Sequence, residues 1–409
     1  MDGTQTDVVI VGAGAAGVGV GAALSNLDLD VQILERDGVG ASFRSWPAEM
    51  RFLTPSFPSN AFGIPDLNAI VPNTSPGFAL DCQQPSGDQY AEYLESVVDH
   101  YELSIETGVE VTGIDTAPDQ VISDSVAVDD GTTVDTAGFE IETTDGTRTS
   151  DFLIWAGGQF GAPRTDLFPG SERAVHNSTV GSWEAHAADH GEEFLIVGGF
   201  ESGIDAAVNL VEAGCSVTVL DRGYPWATRH PDPSETLAPY TFQRLNSVID
   251  SGRLRLVGGA DVDRITEIDE GYEVSASPAQ DDPLPDDVEK NYESYSQETF
   301  TVPTRPILAT GFESNLGPVS ALFDHSEDGI ELTDEDESTE TPGLFLSGPE
   351  VQHDGQMFCF IYKFRARFPV IASTIGERLN LDTDALEPYE DANMFLEDLS
   401  CCEPVNCDC

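Results

Sequence analysis

Apolar and polar positions alternate along the chain in a way that repeats once. Asp7-Val8-Val9-Ile10-Val11 is a short apolar run that ends in the glycine cluster Gly12-Ala13-Gly14-Ala15-Ala16-Gly17. An alanine-rich stretch follows, and then Val31-Gln32-Ile33-Leu34-Glu35. This order predicts a buried strand, a tight turn, a helix, and a second strand that ends on an acid. The pattern returns at Phe194-Leu195-Ile196-Val197, Gly198-Gly199-Phe200-Glu201-Ser202-Gly203, a helical stretch to Ala213, and Ser216-Val217-Thr218-Val219-Leu220-Asp221. Gly12 to Glu35 and Gly198 to Asp221 both span 23 positions.

Each part of the pattern has a physical role in holding a dinucleotide. The first glycine permits the tight turn, the second lets the backbone approach a pyrophosphate, and the third lets helix and strand pack closely. The helix start offers unpaired N–H groups and the positive end of the helix dipole to phosphate. Glu35 and Asp221 stand where a carboxylate can accept hydrogen bonds from ribose hydroxyls. The second copy departs at one point, with Phe200 in place of the middle glycine, so its pyrophosphate contact is less secure. A carboxylate at Asp221 favours NADH by repelling a 2′-phosphate, whereas the adjacent Arg222 would pair with one.

Further segments carry a family likeness. They are Gly40-Ala41-Ser42-Phe43-Arg44-Ser45-Trp46-Pro47, Met50-Arg51-Phe52-Leu53-Thr54-Pro55, Asp151 to Gly158, Pro306 to Phe312, and Gly343-Leu344-Phe345-Leu346-Ser347-Gly348. With the two glycine modules, the chain resembles the flavin-dependent monooxygenases and the thioredoxin-reductase-like pyridine nucleotide oxidoreductases. The resemblance implies an α/β fold with two Rossmann-like domains, the NAD(P) domain (159–305) inserted into an FAD domain made of 1–158 and 306–388. It leaves 389–409 as an acidic, cysteine-rich tail. It implies FAD contacts at Gly12, Gly14, Gly17, Glu35, Arg36, Trp46, Val111, Gly157 and Gly348. It implies NAD(P)H contacts at Gly198, Gly199, Ser202, Gly203, Asp221, Arg222 and Gly311. That family has Asp after the late glycine, where this chain has Pro349-Glu350.

The implied reaction passes hydride from the nicotinamide to FAD and then electrons to a second acceptor. Three acceptors are open. None of the seven cysteines forms a C-x4-C near the first module or a C-x-x-C in the second, so the usual active-site disulfide of a dithiol reductase is absent. Cys215 and Cys359 sit in apolar contexts and read as core thiols. A monooxygenase signature is present in stretched form, as Phe168-Pro169-Gly170, His176 and Trp183, with His176 either chemical or merely interdomain. The third answer is the C-terminus, where Cys401-Cys402 and Cys407-Asp408-Cys409 crowd four cysteines into nine residues.

The balance leans slightly to a thiol, disulfide or soft-metal acceptor reached through Cys401 and Cys402 on a mobile tail from about Leu386. Monooxygenation of a small molecule stands close behind. A zinc site in the tail and a non-catalytic flavin sensor complete the alternatives, and no metal ligand is assigned. The segment Gln356 to Pro369 reads as the start of a helix facing the flavin. Its Lys363, Arg365 and Arg367 either attract an anionic partner or pair within the fold. Asp281 to Glu298 reads as a solvated surface excursion.

Charge narrows the partners. The chain holds 74 acidic and 18 basic side chains for a net charge of −56. Only Lys290 and Lys363 are lysines. Nucleic acid and anionic membranes would be repelled. The uncharged run Val8 to Leu24 is too short to cross a bilayer and follows acids rather than bases, so it is read as neither anchor nor export signal. The expected setting is the cytoplasm, with a small-molecule or thiol/disulfide substrate and a possible homodimer. Acids spread over the whole chain resemble proteins of salt-accumulating cytoplasms such as those of haloarchaea, where molar salt shortens the screening length to about 3 Å. The melting temperature, followed by circular dichroism, should therefore climb steeply between low and molar KCl; a midpoint indifferent to KCl contradicts the halophilic reading.

Overall fold

The computed structural model describes residues 5–57, 64–121, 126–127, 133–134, 137–228, 230, 234–279, 293–295, 299–326, 329–353 and 355–399. The chain forms two compact units. One comprises residues 1–44, 55–159 and 314–409, and the other 45–54 and 160–313.

In the first unit, Gln5–Val11 pairs in parallel with Val31–Glu35, which pairs in parallel with Ile105–Thr107. On its other side Gln5–Val11 meets Gly146–Trp155. That last strand changes neighbour halfway along. Its first half pairs antiparallel with Ala137–Thr143, and its second half pairs parallel with Leu344–Leu346. Successive strands from Gln5–Val11 therefore run to opposite sides, which opens a crevice at its carboxyl end. The helix Ala15–Leu24 is buried along its whole length. It packs so closely on the helix Phe368–Arg378 that a Cβ at Gly19 would sit 2.1 Å from the Phe368 ring. The helix Gly87–Tyr101 starts at a capping box, where Ser86 and Gln89 exchange side-chain and backbone hydrogen bonds.

The second unit repeats the plan. Its parallel sheet runs Glu293–Ser294, Leu254–Gly258, Ser216–Asp221, Glu193–Val197, Ile307–Leu308, Val175–His176. A three-stranded antiparallel sheet, Ala260–Ile268, Gly271–Pro278 and Thr299–Val302, covers one face. The other face takes the helices Trp183–His190, Glu201–Glu212 and Pro239–Val248.

Four expectations are corrected. The return from the second unit falls at Ser314 rather than 306, because Ile307 and Leu308 are buried between Glu193–Val197 and Val175–His176. Residues 45–54, with Trp46, cluster in the second unit. Residues 389–399 are not a free tail. Tyr389, Met394 and Leu399 are buried, the Leu396 amide donates to the Ala366 carbonyl, and the Leu396 carbonyl accepts from the Arg367 guanidinium. Only the stretch from 400 onward, with Cys401 and Cys402, lies outside the described residues, as does most of 281–298. Finally, the helix does not start at Gln356: a hairpin strand comes first, and the helical part begins with Ile361–Phe364 and continues through Arg365–Arg367 into Phe368–Arg378.

Its cations are structural. Arg365 donates to the carbonyls of Asp66 and Ala69 from a buried position. Arg367 is 1% exposed and meets both oxygens of the fully buried Asp336, which also takes a 2.6 Å bond from His353. Leaving either charge of such a pair alone costs about 3–5 kcal/mol. Lys363 donates to the Met357 carbonyl at 3.1 Å.

Residues 45–54 are held by the Ala48 amide, which donates to the Gly181 carbonyl at 2.9 Å, and by one acid. Glu49 accepts from Ser182 Oγ at 2.7 Å, the Trp183 amide at 2.9 Å and the Glu184 amide at 3.1 Å, so it caps the helix Trp183–His190 from a distant part of the chain. Partial burial alone would raise its pKa, but these donors outweigh that and hold the carboxyl below its ordinary value. A lowered carboxyl adds stability above its unfolded pKa and loses it as pH falls through the folded value. Glu49→Gln should cost about 1 kcal/mol at pH 7. In urea titrations the difference from wild type should shrink as pH drops through the acid range.

Candidate functional site

The crevice of the first unit is shaped by backbone contacts. Gly12 has φ +105°, and a Cβ there would lie 2.5 Å from the Ala156 carbonyl oxygen. A Cβ at Gly17 would lie 1.8 Å from the Gly12 carbonyl oxygen. The turn is thus pressed between the helix behind it and the neighbouring strand end. Gly14 differs, since a Cβ there meets nothing within 4 Å. Its backbone, φ −81° and ψ −168°, suits any residue. What the glycine leaves bare is the approach to the helix start, and the first turn of that helix carries no acid.

Glu35 closes the turn. Its Oε2 accepts from the Ala13 amide at 2.7 Å and its Oε1 from the Asp37 amide at 2.8 Å. The Val109 amide donates to the Glu35 carbonyl at 3.0 Å, which brings the approach to Val111 beside the same acid. Arg36 is exposed and pairs with Asp37 at 3.2 Å and Glu110 at 3.7 Å. These contacts raise its pKa, the hydrogen bond to Asp37 most, against partial desolvation.

Across the crevice three loops are stitched together. Trp155 Nε1 donates to the Asn315 carbonyl at 2.8 Å, Asn315 Nδ2 to the Gly157 carbonyl at 3.3 Å, and the Asn315 amide to Glu350 at 3.5 Å. Burial pushes the Glu350 carboxyl up to about 7, against the Asn315 hydrogen bond. Gly348 has φ +127° and packs near Ala16. Beside it the buried Ser347 hydroxyl finds no partner among the described residues. Sequence reasoning noticed Glu350 only as a departure from a pattern. Asn315 carried no signal, since its partners come from positions far along the chain.

The second unit copies the turn. Gly198 has φ +100°, and a Cβ there would lie 2.2 Å from the Ala309 carbonyl oxygen. A Cβ at Gly203 would lie 1.9 Å from the Gly198 carbonyl oxygen. Asp221 accepts from the Gly199 amide at 2.6 Å and the Gly223 amide at 2.8 Å. Arg222 is exposed, and Ser202 is half-buried on the first turn of the helix. Phe200 repeats the backbone of Gly14, with φ −85° and ψ −159°, but puts an exposed ring where the first copy has bare backbone. The neighbouring Glu201 is turned inward. It accepts from the Ala238 amide and Thr241 Oγ1, and burial raises its pKa despite those donors.

Both ring nitrogens of His176 have partners within the second unit. It is 4% exposed, and its Nδ1 accepts from the Ser178 amide at 3.2 Å. With Nδ1 an acceptor, Nε2 carries the proton and donates to the Gly311 carbonyl at 3.1 Å. Burial lowers its pKa, against the Gly311 bond, so the ring is held neutral. Gly311 in turn ties 309–313 to 162–164, accepting also from the Arg164 amide. Cys215 is a packed core thiol as expected, 3% exposed, its pKa pushed up by burial. No helix among the described residues is long and apolar enough to cross a membrane.

Residues 9–348 match the pyridine nucleotide-disulphide oxidoreductase family. The chain belongs to that family, and it is an oxidoreductase that uses FAD and NAD(P)H. It is 25% identical over 248 residues to the bacilliredoxin reductase Bdr of Bacillus subtilis (strain 168), covering 59% of this chain and 67% of that protein. Among solved structures it resembles the bacillithiol disulfide reductase Bdr (YpdA) of Staphylococcus aureus, with TM-score 0.66 and 18% identity over 92% of this chain and 99% of that one. It also resembles a flavin-containing monooxygenase of Stenotrophomonas maltophilia, with TM-score 0.60 and 15% identity over 93% and 100%. At such identities the structural likenesses establish the fold.

The residues of the first unit fit a diphosphate-bearing cofactor. The helix start is bare and unopposed by acid, a clamped carboxylate stands beside it, and an orphaned buried hydroxyl lies across the crevice. Gly14 and Gly17 should therefore fail differently. Gly14→Ala should fold with a melting temperature near wild type yet retain FAD less tightly, by about tenfold or more in dilution-release fluorescence. Gly17→Ala should lose the fold itself, because its methyl collides with backbone.

Proposed function

We propose that the first unit holds FAD, the second holds NAD(P)H, and electrons leave the flavin for a thiol/disulfide acceptor. The observation that carries the cofactor assignment is the duplicated clamp: a turn, a helix start and a carboxylate held by two backbone amides, with open backbone in the first copy only. The open copy suits a tightly held cofactor, and the copy narrowed by Phe200 suits a dinucleotide that exchanges. FAD, when bound, accepts an electron pair from the nicotinamide and passes it on.

The chain's own residues set the frame for that transfer. Gly12, Gly14 and Gly17 let the backbone meet the pyrophosphate of FAD, and Glu35 accepts from the adenosine ribose. Val111, Gly157 and Gly348 line the remainder, with Arg36 at the rim. Glu350, its carboxyl pushed up to about 7 by burial, stands beside Gly348 and Asn315 as a group able to take up or release a proton near neutral pH. In the second unit Gly198, Gly199, Ser202 and Gly203 receive the pyrophosphate of NAD(P)H, with Gly311 beside them.

The thiol/disulfide acceptor draws support from the names of the relatives, a bacilliredoxin reductase and a bacillithiol disulfide reductase. The first module itself has no cysteine; the chain's first is Cys82. The redox thiols would then be supplied by Cys401 and Cys402, or by the substrate alone. The monooxygenase reading is weakened by His176, whose two ring nitrogens are both engaged within the second unit.

The test is anaerobic mixing of FAD-loaded protein with NADH or NADPH, followed by addition of a low-molecular-weight disulfide or of oxygen. Flavin bleaching by the nicotinamide and reoxidation by the disulfide, with free thiol released, are expected. Reoxidation by oxygen coupled to hydroxylation of a small molecule, with no response to disulfide, would refute the acceptor. Unchanged disulfide turnover after Cys401→Ser and Cys402→Ser would remove the tail from the mechanism.

A further inference from the structure

We propose that the second unit carries a binding site for a small organic anion, a carboxylate on an apolar body, at the end of its parallel sheet opposite the glycine turn. The proposal does not depend on where either dinucleotide binds. A cavity of about 330 Å³ opens there among the described residues. Its floor is the amino half of three neighbouring strands. Glu193 lies beside Ser216, Leu195 beside Thr218, and Thr218 in turn beside Arg255. Phe300 and Val302 of the antiparallel sheet, both buried, form a wall. The glycine turn leaves the carboxyl end of the strand Glu193–Val197, about 13 Å further on at about 3.3 Å per residue.

The floor changes character along its length. Side chains two apart on a strand share a face, so Val197, Leu220 and Val257 continue the row of Leu195, Thr218 and Arg255. Those three are buried in the apolar core beneath the antiparallel sheet. A parallel sheet covered on both faces ordinarily reads as continuous apolar runs. Thr218 and Arg255 break that pattern side by side, where the cavity lies. The Thr218 hydroxyl has no hydrogen-bond partner among the described residues. Arg255 is held at one edge only. Its Nε donates to Glu293 at 2.7 Å, and its guanidinium carbon lies 5.5 Å from the centre of the Phe300 ring. One of its five N–H donors is thus used, which leaves the Nη edge of the fork for a second acceptor.

Charge sets the class of ligand. The lining carries Arg253 and Arg255 against one acid, Glu193, in a chain with 74 acidic and 18 basic side chains. Arg253 stands exposed at the rim, where its guanidinium donates to the Gly214 carbonyl. Such a patch favours an anion over a cation. The planar fork of Arg255 matches a carboxylate, and the Thr218 hydroxyl can donate to the same group. Leu195, Phe300 and Val302 offer apolar surface to the body behind it. The volume lies at the lower end of the range of ligand pockets and calls for a compact molecule. Inorganic phosphate would use the charge and leave the apolar wall without a partner.

The test uses the full-length, FAD-loaded protein at one fixed KCl concentration, with benzoate as the probe. Saturation-transfer NMR and calorimetry should show saturable one-to-one binding with a Kd of about 1 mM or tighter. Benzylammonium, of similar shape and opposite charge, and inorganic phosphate should each bind at least about tenfold more weakly. Arg255→Gln should weaken benzoate about tenfold or more. Thr218→Val, which removes a donor without changing charge, should weaken it about threefold and decides the matter if Arg255→Gln fails to fold in melting curves. Arg264→Gln, an exposed arginine of the antiparallel sheet outside the cavity, should leave the affinity unchanged. Absence of saturable benzoate binding overturns the proposal. So does binding that survives both Arg255→Gln and Thr218→Val unchanged, or that NAD+ displaces competitively, since either puts the ligand elsewhere. Phosphate binding as tight as benzoate overturns the apolar body, and benzylammonium binding as tight overturns the anion.

Discussion

Both halves of the chain depend on a contact in which no side chain takes part. The helix that begins after the first strand lies so close to the turn that a single methyl at Gly17 would overlap the Gly12 carbonyl, and Gly203 stands in the same relation to Gly198. That closeness fixes where the helix starts. It leaves the first amides of the helix, which have no partner within the helix itself, at the carboxyl end of the sheet. It also brings the second amide of the turn within reach of the acid that ends the next strand. The clamps at Glu35 and Asp221, and the crevices they border, follow from this one approach of backbone to backbone.

That dependence explains why the modules are legible in the sequence. Strand, turn, helix, strand and acid fall within about forty residues, and each announces itself by periodicity, glycine spacing or charge. The return to the first unit is not legible in the same way. Ile307–Leu308 pairs over only two residues on either side, and its membership is decided by partners at Val175–His176 and Ile196–Val197. A domain boundary read from local pattern therefore falls several residues early. Glu49 is a sharper case. Nothing near it in sequence marks it as a helix cap, because the helix it caps begins at Trp183. Asn315 and the Arg367–Asp336 pair were hidden for the same reason, with partners brought together only by the completed fold.

Charge is distributed in a way that composition alone does not reveal. The chain is poor in cations, yet Arg365 and Arg367 are buried, and Arg244 and Arg378 are largely so. Arg244 pairs with Asp205, and Arg378 grips both oxygens of Glu337. Part of the scarce positive charge is thus committed to internal anchoring points, where an unpaired acid would be most costly. An anionic dinucleotide would meet one exposed arginine beside each turn, Arg36 or Arg222. Backbone amides and helix starts, neutral in formal charge, would add attraction at contact distance. Molar salt would favour the same solution, since fixed dipoles at contact distance are screened less than surface charges.

The difference between the two copies then has a physical sense. The first helix is apolar throughout, has no acid in its first turn, and meets the crevice with bare backbone at Gly14. Its clamp residue is half-buried, and the opposite wall is built from loops joined through Asn315. These are properties of a site that closes over a resident group. The second copy keeps the clamp but puts Phe200 at the mouth, and it carries an acid, Glu201, in the first turn of its helix. That acid is prevented from facing a pyrophosphate because the Ala238 amide and the Thr241 hydroxyl draw it inward. Weakened attraction at the helix start, with the carboxylate clamp left intact, would lower affinity for a dinucleotide without losing recognition. On the proposed assignment, a nucleotide that must arrive, give up its electrons and leave on every turnover requires that combination.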